Sequence, residues 1–212
     1  NVRSKVFYAL SRAGIKLSIP NRSIVVSEGA DTVAERSLKL EQERRLAALK
    51  GVDIFQALTE SEKSLLASLL KPTPFAAGET ITRQGAVADW LYLIHSGSIE
   101  VRLYSGEGGA YRAVKTLGSG DFLGEMGLFT GEPRSATAVA TCEVGCYRLD
   151  REGFRSVLSS RPEIAESIAA MLAKRRLELA EAREKLAGES LARGLVTEQQ
   201  DLLSKIRDFF SL

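Results

Sequence analysis

The sequence predicts an α+β fold: an antiparallel, jelly-roll-like β-roll with flanking helices, preceded by a small α/β fragment and a linker helix. Three observations carry this. From Phe75 onward the apolar residues fall into short segments with a period of two. These are divided by glycine turns at Gly78, Gly85, Gly97, Gly106 to Gly109 and Gly118 to Gly120, the mark of short antiparallel strands in a sandwich or barrel. On both sides of that stretch, leucines and isoleucines recur at helical spacing behind capping signals. Composition agrees, because 44% hydrophobic and 26% charged residues in a chain of 212 sustain a real core.

The same numbers exclude several classes. A net charge of +2 and a pI near 8.6 without a basic block give little reason to expect nucleic-acid binding. No run of about 18 apolar residues exists, so no segment is expected to span a membrane, and no signal peptide is expected. Beginning at Asn1, the chain reads as a fragment or a trimmed piece. Cys142 and Cys146 fall at i and i+4 on a predicted strand, about 13 Å apart by strand rise. That is too far for a disulfide, so reduced thiols are expected. His95, the single histidine, lies on an apolar strand and reads as a packed residue. One histidine and two distant cysteines give zinc no ligand set, and no metal is expected.

Taken in order, Val2 to Ala13 reads as a helix with Val6, Leu10 and Ala13 at helical spacing and Gly14 as its stop. Ile15 to Pro20 and Ser23 to Val26 read as extended segments, giving residues 1–30 an α/β fragment too short for its own core. After the polar break at Glu28 to Thr32, Asp31 or Thr32 can cap a helix over Val33 to Lys50, and Gly51 ends it. Its charges alternate in sign, so it reads as a solvated connecting helix (31–51) rather than a nucleic-acid contact. Standing between two modules, it can transmit movement.

The main domain is expected over 52–185. Thr59-Glu-Ser-Glu62 is a capping box, opening a helix with Leu65, Leu66, Leu69 and Leu70 on one side and closed by Lys71-Pro72. Ser98 to Leu103 alternates, with Ile99, Val101 and Leu103 inward. Trp90 to Ile94 is a short continuous apolar run. Strands follow around Thr137 to Thr141 and Val144 to Leu149. Asp150 is expected to cap a short helix bearing Phe154, Val157 and Leu158. Ser160-Arg-Pro-Glu163 reads as a second capping box, starting a helix that runs to about Lys185 with Ile164, Ile168, Met171 or Leu172, and Leu179 as its stripe. In 186–212, Thr197-Glu-Gln-Gln200 reads as a further box ahead of an amphipathic helix with Leu202, Leu203, Ile206, Phe209 and Phe210. That face must pack on the domain or a neighbouring subunit. A membrane surface is disfavoured, because Lys205 and Arg207 are the helix's only basic residues.

The chemistry concentrates between Gly118 and Ala140. Glycines let backbone N–H groups approach an anion, and a short helix opening at Gly124-Glu125-Met126 adds its N-terminal dipole. Arg134 offers a planar fork of donors suited to a phosphate. Glu125 would repel a bare phosphate, and it makes sense where the ligand also carries a sugar hydroxyl. Phosphate plus ribose means a nucleotide. The bland alternative is a glycine turn cluster with a surface Glu–Arg pair.

At these residues the chain resembles a known family. Leu123-Gly124-Glu125-Met126-Gly127-Leu128 with Pro133-Arg134-Ser135-Ala136 looks like the phosphate-binding cassette of cyclic nucleotide-binding domains. Gly78-Glu79, Gln84-Gly85, Tyr92, Gly97 and Gly120 match similar positions, so the resemblance covers about residues 52 to 180. It implies that Gly124, Met126 and Gly127 offer backbone donors, that Arg134 and Ser135 hold a cyclic phosphate beside Ala136, and that Glu125 takes the ribose hydroxyl. Gly127 stands where alanine or serine is common, a change that keeps the backbone donor. Ser135 can meet either the phosphate or a guanine amino group, so cAMP is favoured with cGMP open. The lid helix of the family caps its base, and Arg175 falls on the apolar stripe at a fitting distance, with Arg176 as the fallback. The plain alternative is that Arg175 snorkels to solvent. No catalytic residue is expected. Separately, the helix ending in Arg12-Ala13-Gly14-Ile15, with Pro20 beyond it, is similar to the tail of the cytoplasmic domain of small-conductance mechanosensitive (MscS-like) channels. That resemblance implies a heptameric channel at the cytoplasmic face of the membrane, regulated by the nucleotide.

Overall fold

The computed structural model describes residues 2–15, 30–104, 111–187 and 195–210. In chain order the helices are α1 (Val2–Arg12), α2 (Ala30–Lys50), α3 (Glu60–Leu69), α4 (Glu125–Thr130), α5 (Arg151–Ser160), α6 (Ile164–Ala187) and α7 (Leu195–Phe210). The strands are β1 (Lys71–Pro72), β2 (Thr80–Thr82), β3 (Trp90–Ser96), β4 (Ile99–Tyr104), β5 (Tyr111–Leu117), β6 (Phe122–Leu123), β7 (Thr137–Ala140) and β8 (Gly145–Asp150). They form two four-stranded antiparallel sheets, ordered β1-β8-β3-β6 and β2-β7-β4-β5. The expected β-roll with flanking helices is therefore the observed fold.

Two buried clusters explain the sequence pattern. Between the sheets lie Phe75, Ile81, Tyr92, Ile94, Ile99, Leu117, Leu123 and Cys146. On the outer face of the first sheet, Leu91, Leu93, Tyr147 and Leu149 pack with Phe55, Leu66, Phe129, Phe154, Ile168, Leu172, Ile206 and Phe210 from the helices. Strand β3 is thus covered on both faces, which is why Trp90 to Ile94 reads as a continuous apolar run rather than an alternating one. Gly97 turns β3 into β4 at φ +88, and a Cβ there would run into the backbone of Glu143 and Val144.

The Thr59 capping box forms, its hydroxyl accepting from the Glu62 amide and the Glu62 carboxylate accepting from the Thr59 amide. Of the four leucines assigned to that helix's inner side, Leu66 and Leu70 are buried, whereas Leu65 and Leu69 are exposed. The other capping expectations fail for identifiable reasons. The Asp150 carboxylate pairs with Lys71 and Arg148 rather than with the amides of α5. Ser160 ends α5, its hydroxyl donating back to Val157 O, while Glu163 accepts from Arg161, so a turn over 161–163 starts α6 instead. Thr197 lies inside α7, which opens at Leu195, and Asp31 and Thr32 lie inside α2, which opens at Ala30. Cys142 sits in the turn after β7 rather than on a shared strand with Cys146, and both thiols are free. His95 is exposed at the end of β3 with its ring 4.7 Å from Tyr147, rather than packed in the core.

Helix α1 ends at Arg12 with Gly14 at φ +71, but it buries no residue, and Val6 is exposed. Arg12 ties it to the sandwich through Glu79, the carbonyl of Pro74 and the ring of Phe75. The extended segments expected over 16–26 and the turn at 106–109 lie outside the described residues, as does the side chain of Leu179. The apolar face of α7 packs onto the domain itself, with Leu202, Ile206 and Phe210 almost fully buried. No described helix is long and apolar enough to cross a membrane.

Candidate functional site

Strand β6 runs into α4 through Gly124, which takes a left-handed conformation at φ 90 and ψ 12. In the first helical turn the amides lack intrahelical acceptors, and Glu125, Met126 and Gly127 there line a cavity of about 280 Å³. The loop that returns from α4 to β7 brings Arg134 to the same cavity. Its backbone is fixed by two bonds to the 85–86 loop: Arg134 N donates to Ala86 O and Gly85 N donates to Arg134 O, each at 2.8 Å.

The Arg134 side chain is 5% exposed. Nη1 donates to Gly124 O at 2.6 Å and Nη2 to Trp90 O at 2.5 Å, while Nε has no acceptor among the described residues. Burial pulls its pKa below that of an ordinary arginine, and the charges of Tyr92, Glu125 and Asp89 pull the other way. It stays cationic, as guanidinium groups do. Arg134 lies so close to the loop that glycine is required twice. A Cβ on Gly124 would strike Arg134 Nη1 and lie 3.0 Å from Trp90 O, and a Cβ on Gly127 would strike Ala88 O and lie 2.9 Å from Arg134 Nη1.

Glu125 is 7% exposed at the first position of α4, where an acid complements the helix dipole. Facing it from α6, Arg175 lines the cavity, with Nη1 at 3.7 Å from Glu125 Oε1 and its guanidinium 3.7 Å from the centre of the Phe122 ring. Arg176 turns away, pairing with Glu132 at 3.1 Å. Ser135 and Ala136 line the cavity too. The structure therefore brings together all eight residues singled out from the sequence: Gly124, Glu125, Met126, Gly127, Arg134, Ser135, Ala136 and Arg175.

It also adds residues that the sequence did not offer. Thr82, Val101, Val114, Lys115 and Phe122 are among the further lining residues. Val114 and Lys115 are neighbours in sequence, and strict alternation would send only one of them inward. The register slips between Val101 and Arg102, whose partners are Lys115 and Ala113, so Val114 is the extra residue of a β-bulge and both line the cavity. No local signal marks that bulge. The lining holds three cationic side chains, Arg134, Arg175 and Lys115, against one carboxylate, Glu125, an excess that favours an anion.

Residues 72–161 match the family model described as the cyclic nucleotide-binding domain. This segment is a cyclic nucleotide-binding domain. A CRP-like cAMP-activated global transcriptional regulator of Mycobacterium tuberculosis is 33% identical to the chain over 127 residues, covering 60% of this chain and 56% of the regulator. A cyclic nucleotide-gated potassium channel of Rhizobium etli is 35% identical over 133 residues, covering 63% of this chain and 36% of the channel. Among solved structures, the regulatory domain of Toxoplasma gondii PKA crystallised with cAMP matches with a TM-score of 0.60 at 26% identity, covering 70% of this chain and 54% of that one. The match thus spans little more than half of these proteins, or less. The cyclic nucleotide-binding domain match contains the cavity residues from Thr82 to Ala138, and Arg175 lies beyond it on α6.

Proposed function

We propose that this chain senses a cyclic nucleotide, cAMP by preference and cGMP as the alternative, and performs no chemistry on it. The observation that carries the reading is the cationic cavity in which a buried Arg134, the Gly124–Gly127 turn and the Glu125 carboxylate converge. In this reading the amides of Gly124, Met126 and Gly127, with Arg134 and Ser135, hold the cyclic phosphate beside Ala136. Glu125 accepts from the ribose hydroxyl, and Arg175 caps the base from α6. A ligand shifts a conformational equilibrium only by its differential affinity for two states. The favoured state is the one with α6 held over the cavity, and a hundredfold preference would be worth about 2.7 kcal/mol.

The output we propose is regulation of an MscS-like channel at the cytoplasmic face of the membrane, as a homo-oligomer that is heptameric by resemblance. Three things support it: the resemblance of the N-terminal segment to that channel family, the channel relative in Rhizobium etli, and the direct tie of α1 to the sandwich through Arg12 and Glu79. A second reading, the ligand-binding half of a transcription regulator, is favoured by the Mycobacterium tuberculosis relative. Against it, α7 buries its apolar face in the domain core rather than offering a reading helix to DNA. The test is calorimetric titration of the purified chain with cAMP and, separately, cGMP. Saturable binding of either supports the sensor and ranks the two ligands. Absence of heat and of any thermal shift with both would sink it, leaving a domain that works unliganded.

A further inference from the structure

Helix α7 lies outside the stretch matched by the family model, yet it packs on the back of the cavity. Its Phe209 ring covers Gly131, the residue that ends α4, so closely that a Cβ on Gly131 would lie 2.6 Å from the ring. The next residue, Glu132, accepts from Lys205 of α7 at 2.8 Å and from Arg176 of α6 at 3.1 Å. Two residues further on is Arg134. Asp201 of α7 holds the same two cations, Lys205 at 3.1 Å and Arg176 Nη1 at 3.8 Å. Phe210 completes the contact against Phe154, which also meets Phe129 of α4 edge-on. Arg151 stacks on Phe209 at 3.5 Å and donates to its carbonyl.

The two arginines of α6 make the arrangement more than a packing contact. Arg175 reaches Glu125 at the start of α4, and Arg176 reaches Glu132 just past its end. Arg175 and Arg176 share one stretch of helical backbone, so a displacement of α6 at the cavity end is carried to the α7 end. We propose that α7 positions the anion-binding turn, with Lys205 and Phe209 setting Glu132 and Gly131 and through them Arg134. In return, occupancy of the cavity sets how firmly α7 is docked, because coupling between two sites is reciprocal. This rests on the nucleotide-sensing reading and extends it: α7 becomes an output element, on the opposite terminus from α1 and α2.

The experiment uses the whole chain. Nucleotide affinity and melting temperature are measured for wild type, Lys205→Met, Lys205→Arg, Phe209→Ala and the pair Lys205→Met with Glu132→Gln. The expected result is at least about fivefold weaker nucleotide binding in Lys205→Met and Phe209→Ala, at temperatures where both remain folded. Lys205→Arg keeps wild-type affinity, and adding Glu132→Gln to Lys205→Met weakens binding further, because Arg176 then loses the Glu132 carboxylate as well. Amide exchange in α7 slows when nucleotide is added to wild type. The proposal is overturned if the variants melt lower but bind within twofold of wild type, or if α7 exchange ignores the ligand. Absence of binding in wild type itself would instead remove the functional reading on which the proposal stands.

Discussion

Arg134→Ala separates two roles that the structure superimposes on one side chain. In the structure the guanidinium is almost fully buried and ties two carbonyls together, Gly124 O before α4 and Trp90 O at the start of β3. Removing it strands both acceptors. Each orphaned buried group costs about 1–3 kcal/mol, and water entering the adjacent cavity keeps the total near the low end, about 2 kcal/mol. For a chain of this size that lowers the melting temperature by about 4–8 °C. The second loss is seen only with ligand. A hydrogen bond from a charged donor is worth about 1.5–3 kcal/mol, which weakens nucleotide binding by between about tenfold and about 150-fold. Arg134→Lys keeps the charge but replaces the planar fork with one compact ammonium, so it should fall between wild type and Arg134→Ala on both measures. Calorimetric titration with cAMP and cGMP, paired with thermal melts of the free variants, reads the two effects apart. A lower melting temperature with an affinity within twofold of wild type would refute the reasoning, because Arg134 would then be a tie for Gly124 and Trp90 and not a ligand group.

Three further predictions address neighbouring residues. If Glu125 accepts from the ribose, wild type should bind a 2′-deoxy cyclic nucleotide about tenfold more weakly than the parent, and Glu125→Ala should bind the two with similar affinity; an undiminished preference in the variant would remove Glu125 from that role. Gly127→Ala places a methyl against Ala88 O and Arg134 Nη1, so nucleotide affinity should drop by about tenfold or more even though alanine suits a helix; titration with unchanged affinity would mean that the 86–89 loop yields freely. Burial pushes the Cys146 thiol up to about 12, while Cys142 is exposed. An aromatic disulfide reagent at pH 8 should therefore titrate one thiol promptly and the second only after unfolding, and two prompt equivalents would contradict the burial of Cys146.

Fold class and the Gly124–Gly127 turn that lines the cavity were legible in the sequence. Both are written in local signals: period-two strands, glycines where the chain reverses, a Thr59 capping box, and one contiguous run of glycines, acid and arginine from Gly124 to Ala136. Even Arg175 was legible, since a cation on an otherwise apolar helical stripe is a local anomaly. Tertiary structure decided what depends on contacts between remote segments. Asp150 has the identity of a cap, yet Lys71 and Arg148 arrive from neighbouring positions in the sheet and take its carboxylate. His95 looked packed because β3 is apolar, but the strand outruns the cover of both clusters at its end. The Val114–Lys115 bulge is a matter of register between β4 and β5, which neither strand encodes alone. That Gly127 must be glycine follows from Ala88 O and Arg134 Nη1 closing on it from either side. And α7 carried an amphipathic stripe that demanded a partner without naming one; only the close fit of Phe209 on Gly131 and the pairing of Lys205 with Glu132 say where it docks. Amphipathicity fixes that a face is buried, whereas shape and charge on the surface opposite decide against what.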